Sequence, residues 1–173
     1  MVKALQRKRI MQKGYPRKAR TYDDLATLPS HLTETADGEK FLILNGTVIP
    51  DNETPNAKRV LVFMSSFGRD ILASCSSWNV DGTFKPAKST LFSQIVFVIG
   101  QTATGRSVPC GFALLPNKEK NTYLRVAEAI KSELQQAEQD IQLMEIMTDF
   151  EKGLMGAFGA TFDQAVVVAC DFH

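Results

Sequence analysis

A chain of 173 residues, 44% hydrophobic and 23% charged, holds enough apolar side chain for one packed domain and too much for a disordered polymer. No apolar run approaches the roughly 18 residues of a membrane span, and the basic N-terminus has no apolar signal core, so neither a spanning helix nor a secretory leader is expected. Three widely spaced cysteines, Cys75, Cys110 and Cys170, make no Cys-x-x-Cys pair, which argues against a disulfide framework and for a reducing compartment.

The net charge of +1 conceals an asymmetry. Residues 1–20 carry eight Lys or Arg and no acid, leaving twelve basic against nineteen acidic residues in the remainder. Clustered cations release counterions on a polyphosphate, so Arg7, Lys8, Arg9, Arg17, Lys18 and Arg20 are candidate nucleic-acid contacts. A solvated tail or a nuclear-import signal explains the same run equally well. The arm is expected to be disordered, and residues 21–74 to form a lead-in to a domain at 75–173. Within the lead-in, a short helix is expected near residues 22–28. Asn45-Gly46, set between apolar runs, predicts a hairpin near 41–50, because both central residues of such a turn need positive φ. "KRVLVFMSS" reads equally as strand or helix.

From Cys75 onward the pattern sharpens. "SCSSWNVDGTF", "LFSQIVFVIG" and "SVPCGFALLP" read as three successive antiparallel strands. "NKEKNTYLRVAEAIKSELQQAEQ" is the clearest helix, with Tyr123, Leu124, Ala127, Ile130 and Leu134 on one stripe. "IQLMEIMTD" returns to strand, "FEKGLMGAFGATF" reads as helix despite Gly153, Gly156 and Gly159, and "QAVVVACDFH" closes on a strand. Three antiparallel strands followed by crossovers to parallel ones make an α/β mixed sheet. The three glycines predict a small helix face packed on that sheet, and "AVVVA" an apolar edge strand prone to association.

If the fourth of these strands lies parallel beside the first, Asp81 and Asp149 finish at one edge of the sheet. Each has a bland explanation alone: Asp81-Gly82 as a turn, and Thr148 with Glu151 as a helix capping box. Together, two neighbouring carboxylates repel unless a divalent cation lies between them, and hard oxygen ligands suit Mg²⁺ or Mn²⁺. Glu151 is expected to serve as a helix cap, and Trp78 as a core aromatic.

The motifs "WNVDGTFKPA", "QIVFVIG", "VPCGFALLPNKEKNTYLRVAEAIKSEL", "IMTDFEKG" and "CDFH", in that order, resemble the transposase domain of Mutator-like elements (MULE), over roughly residues 20–173. The resemblance implies a ribonuclease H-like fold and a DDE-type polynucleotidyl transferase ancestry, with DNA as partner, a nuclear location and self-association left open. It implies that Asp81 and Asp149 hold Mg²⁺ or Mn²⁺ for phosphodiester displacement. It also implies that Cys170 and His173 occupy the family's C-x-x-H motif, a candidate half of a zinc site. The third acid of the DDE set lies downstream of C-x-x-H in that family, so the fold is expected to be incomplete at its C-terminus and the isolated chain to be inactive. A non-catalytic DNA-binding or regulatory protein acting through the basic arm is the competing reading.

Overall fold

The computed structural model describes residues 19–48, 57–83 and 90–170. The arm residues Arg7, Lys8, Arg9, Arg17 and Lys18 lie outside them, as does His173. The strands are β1 (Leu42–Val48), β2 (Lys58–Met64), β3 (Ser77–Thr83), β4 (Gln94–Gln101), β5 (Ser107–Leu115), β6 (Glu145–Thr148) and β7 (Val166–Ala169). The helices are α1 (Ser30–Thr33), α2 (Ser66–Ser74), α3 (Lys120–Gln136) and α4 (Lys152–Thr161), with a 3₁₀ turn at Asp23–Leu25.

All seven strands join one mixed sheet in the order β1-β2-β5-β4-β3-β6-β7. The β3-β4-β5 meander is antiparallel, while β6 pairs parallel to β3 and β7 parallel to β6. This is the mixed α/β architecture expected from Cys75 onward, and it agrees with a ribonuclease H-like fold. Side chains alternate across the pleat, so Trp78 and Val80 of β3, Val96 and Val98 of β4 and Ile146 of β6 are all buried together with Leu72, Tyr123, Val126, Ile130 and Phe158 of the helices. Trp78 is the core aromatic expected of it: fully buried, it donates from Nε1 to the Leu72 carbonyl at 2.9 Å and meets Phe162 edge to face.

The lead-in departs from expectation. No turn forms at Asn45-Gly46, because β1 runs straight through them with Asn45 opposite Leu61 and Gly46 opposite Val60. Gly46 is not among the residues with positive φ. A turn there would leave only a few residues for its first strand, whereas the extended course buries Val48 and pairs six residues of β1 with β2. The Asn45 carboxamide instead works as a tie, donating to the Leu25 carbonyl at 2.8 Å and accepting from Arg59 Nη1 at 2.9 Å. Arg59 Nε donates to the Tyr22 carbonyl at 2.9 Å. So the lead-in extends the sheet by two strands and folds its own first turns back over the face opposite the helices. There Phe41, Phe63 and Phe112 cluster, the last two stacked at 4.8 Å, beside an apolar groove of about 540 Å³.

Helix α2 was not foreseen. Ser65 caps it, accepting from Gly68 N at 3.0 Å, and Gly68 lies so close to β5 that a Cβ would sit 2.1 Å from the Cys110 carbonyl oxygen. The small face of α4 also packs differently from expectation. Gly153 and Gly156 face Lys118, Lys120 and the Tyr123 ring at the start of α3, and only Gly159 faces a strand, through Val167. At the far edge β7 pairs on one side only among the described residues, and Val166 is exposed. No described helix is long and apolar enough to cross a membrane.

Candidate functional site

Asp81 is carried by β3 and Asp149 follows the last residue of β6. The parallel register between these strands runs Ser77 with Glu145, Trp78 with Ile146, Asn79 with Met147 and Val80 with Thr148. Asp81 and Asp149 each follow the last of these pairs, Val80 with Thr148, on strands that run about 4.8 Å apart. Val80 and Thr148 are fully buried, and both aspartates after them are half-buried. The parallel pairing of β6 on β7 ends at Thr148 with Ala169, and Cys170 N donates to the Thr148 carbonyl at 2.7 Å. Cys170, half-buried, therefore stands beside Asp149 at the same edge. Three neighbouring parallel strands thus deliver Asp81, Asp149 and Cys170, in that order, at their carboxyl ends.

The surroundings of the two acids replace the bland explanations. Asp81-Gly82 is not a turn: β3 continues to Thr83, and Gly82 pairs with Val96. Packing favours glycine at 82, since a Cβ there would lie 2.0 Å from Nε2, the far end of the fully buried Gln94 side chain, which would have to shift. Glu151 occupies the N-cap position of α4 without making a side-chain cap. The expected capping box fails because Thr148 Oγ1 donates to the Asp149 carbonyl at 2.6 Å and the Glu151 carboxylate is engaged elsewhere, accepting from the Tyr123 hydroxyl at 2.6 Å. It is the Glu151 backbone N–H that donates, to Asp149 Oδ1 at 3.3 Å.

Tyr123 and Gln94 are the residues that sequence reading missed here. Tyr123 was assigned only to the apolar stripe of its helix, yet its hydroxyl lies 2.7 Å from Gln94 Oε1 as well as beside Glu151. Burial drives its phenol far above the ordinary tyrosine value, the Glu151 carboxylate and the Asp149 charge push the same way, and Gln94 opposes them. The hydroxyl is therefore an obligate donor at any working pH. A polar Gln at the first position of an otherwise alternating apolar strand was the available signal.

Among the described residues, no group of three or more His, Cys, Asp or Glu side chains converges as a metal cage. The donor set at the β3/β6 edge is a pair of carboxylates plus a neighbouring thiol. Such a pair suits a hard divalent cation that completes its shell with water or phosphate oxygens. Of the candidate arm cations, only Arg20 is described; its backbone N–H donates to Asp24 Oδ2 at 2.8 Å, which with the Thr21 N–H holds that carboxyl below its usual range.

No match was found among curated proteins. A family model, the MULE transposase domain, matches residues 77–173, from the first residue of β3 through β7, a span that contains Asp81, Asp149, Cys170 and His173. That span is more than half of the chain, and the protein belongs to the MULE transposase family.

Proposed function

We propose that this chain carries the metal-binding half of a transposase site acting on DNA, with Asp81 and Asp149 as ligands for Mg²⁺ or Mn²⁺. The observation that supports the reading is the parallel β3/β6 register, in which Asp81 and Asp149 each follow the last paired residues, Val80 and Thr148. Carboxylates brought close together repel, and a shared divalent cation relieves such repulsion. A cation held there supplies the activation of a water or 3′-hydroxyl and the shielding of the leaving oxygen in phosphodiester displacement. The carboxylates act as ligands and take no nucleophilic part. Gly82 keeps the end of β3 close over the core, and the Glu151 N–H holds one oxygen of Asp149, so both ligands start from defined positions. Cys170 is a candidate zinc ligand with His173, by the family motif. A transposase domain implies DNA as partner, and a nuclear location follows from that substrate.

The direct test is calorimetric titration of the chain with Mn²⁺ and Mg²⁺. The wild type is expected to bind, and Asp81→Asn and Asp149→Asn each to lose binding by at least tenfold. Equal affinity in all three proteins would remove the assignment. The charge asymmetry favours a second reading, in which DNA binding resides in residues 1–20 and needs no carboxylate. Under it, salt-dependent DNA binding survives Asp81→Asn and collapses when residues 1–20 are deleted; unchanged affinity after the deletion would eliminate it.

A further inference from the structure

Behind the acidic pair lies a buried polar group that the metal reading does not use. Gln94 is wholly buried at the first position of β4, its Nε2 packs against Gly82, and that Nε2 has no hydrogen-bond partner among the described residues. Tyr123, also wholly buried, lies across from it on α3 with its hydroxyl 2.7 Å from Gln94 Oε1 and 2.6 Å from Glu151 Oε1. A phenol has one proton and both of these oxygens are acceptors, so it serves one of them. Turning the Gln94 carboxamide over resolves the conflict, since its N–H then donates to the Tyr123 oxygen while the Tyr123 proton goes to the charged Glu151. The Tyr123 hydroxyl then accepts from Gln94 and donates to Glu151, and Gln94 Oε1 takes the place of Nε2 against Gly82.

The two ends of that chain are the point. One end presses on Gly82, the residue after Asp81. The other holds Glu151, whose backbone N–H donates to Asp149 Oδ1. We propose that Gln94, Tyr123 and Glu151 form a buried relay that sets the orientation of Asp81 and Asp149 relative to each other, acting as positioning residues for the metal pair. The inference rests on the reading of those aspartates as ligands but makes its own claim about their geometry. Buried polar groups of this kind cost stability unless every member is satisfied, and their use is to specify one arrangement. Outer-shell partners of metal ligands typically contribute about 10-fold to 100-fold in metal affinity.

The test uses the metal-free chain first. Carbon-13 carboxyl NMR of Asp81 and Asp149 is recorded for wild type, Tyr123→Phe, Glu151→Gln and a packing control, Ile130→Val, placed at a fully buried site on the same helix. The relay predicts that Tyr123→Phe and Glu151→Gln both move the Asp149 resonance while Ile130→Val leaves it in place. Manganese affinity, measured next, is expected to fall about tenfold in the first two variants and to hold in the control. An Asp149 resonance unmoved by both relay variants, or moved as much by the control, overturns the proposal. A wild type that fails to bind Mn²⁺ while Asp149 still responds to the relay variants refutes the metal reading and leaves the relay standing. Glu151→Gln alters a half-buried side chain and leaves the buried Tyr123 hydroxyl in place, so it decides the matter even where Tyr123→Phe unfolds.

Discussion

Gly82→Ala is the sharpest perturbation the structure offers, because the cost can be worked from one contact. The added methyl would lie 2.0 Å from Gln94 Nε2 and 3.2 Å from its Cδ, where ordinary contact begins at 3.4 Å, so the gap must open by about 1.4 Å. Gln94 has no exposed route of escape, being wholly buried with its other amide atom on Tyr123. Overpacking of this kind costs about 1–3 kcal/mol. Displacing the carboxamide also loses its hydrogen bond to Tyr123, about 0.5–1.5 kcal/mol. Replacing Gly by Ala within a strand returns about 0.5–1 kcal/mol of backbone entropy. The net expectation is a loss of about 0.5–4 kcal/mol, read as a lower urea midpoint by the fluorescence of Trp78, the single tryptophan. The double variant Gly82→Ala with Gln94→Ala gives the methyl the vacated space, so the two changes should couple by about 1–2 kcal/mol. A neutral Gly82→Ala, or the same loss whether or not Gln94 is shortened, would refute the claim that Gln94 dictates glycine after Asp81.

Other expectations follow from the same structure. In the absence of metal Asp81→Asn should raise the urea midpoint slightly, because it removes a like charge beside Asp149, whereas in Mn²⁺ at 100 times Kd it should forfeit about 2.7 kcal/mol of ligand stabilisation; a variant destabilised equally in both conditions would contradict this. Burial pushes the Cys110 thiol from 9.0 up to about 11. The folded chain then keeps a proton that the unfolded chain releases near pH 9, so this stability is intact below pH 9 and is lost as pH rises through about 11, to the extent of about 2–3 kcal/mol. Urea midpoints at pH 8 and 10.5 should show the decline, Cys110→Val should flatten it, and a midpoint independent of pH would oppose the assignment. Gly68→Ala should destabilise despite a helix-propensity gain of about 1 kcal/mol, because its methyl meets a backbone carbonyl at 2.1 Å; a stabilised variant would show that α2 can lift off β5 freely. Lys40→Met, which breaks the 2.8 Å surface pair with Glu133, should cost under about 1 kcal/mol and lose its effect in high salt.

The legible parts of this fold are those where side-chain period and burial agree. From Ser77 to Ala169 the alternation of β3 to β5 and the stripe of α3 gave the element order and the mixed sheet, since a half-buried strand and an amphipathic helix each leave a repeating trace. The misread parts are those where a side chain works over long range. Asn45 looked like a turn residue because Asn-Gly tolerates positive φ, but its carboxamide is occupied by Leu25, twenty residues away, and by Arg59. Helix α2 has nine residues with Gly68 inside it, and its reason for existing is a close approach to β5 that no local pattern encodes. Glu151 had capping spacing, yet a buried phenol from α3 outcompeted the backbone for its carboxylate. Gln94 and Tyr123 are 29 positions apart, and their meeting is decided by how α3 crosses the sheet.

That crossing also explains why the two acids can work together at all. Had β6 paired antiparallel to β3, Thr148 would have lain at the opposite end of the sheet from Val80, and Asp149 with it. The parallel pairing needs a connection long enough to return the chain to its starting edge, which antiparallel neighbours do not. Here α3 and the residues after it provide that return, with the Gln142 N–H bonded to the Ala73 carbonyl and the Met144 N–H to that of Ser76, so β6 enters beside the start of β3 in fixed register. Both strands then run the same four paired positions before each yields an aspartate. The helix that makes the return carries Tyr123 in its first turn, at the end of the sheet where the strands finish. One connection therefore fixes the register of the acids and delivers the hydroxyl that reaches Glu151 beside them, which ties the position of the acidic pair to the packing of α3 rather than to the loops around it.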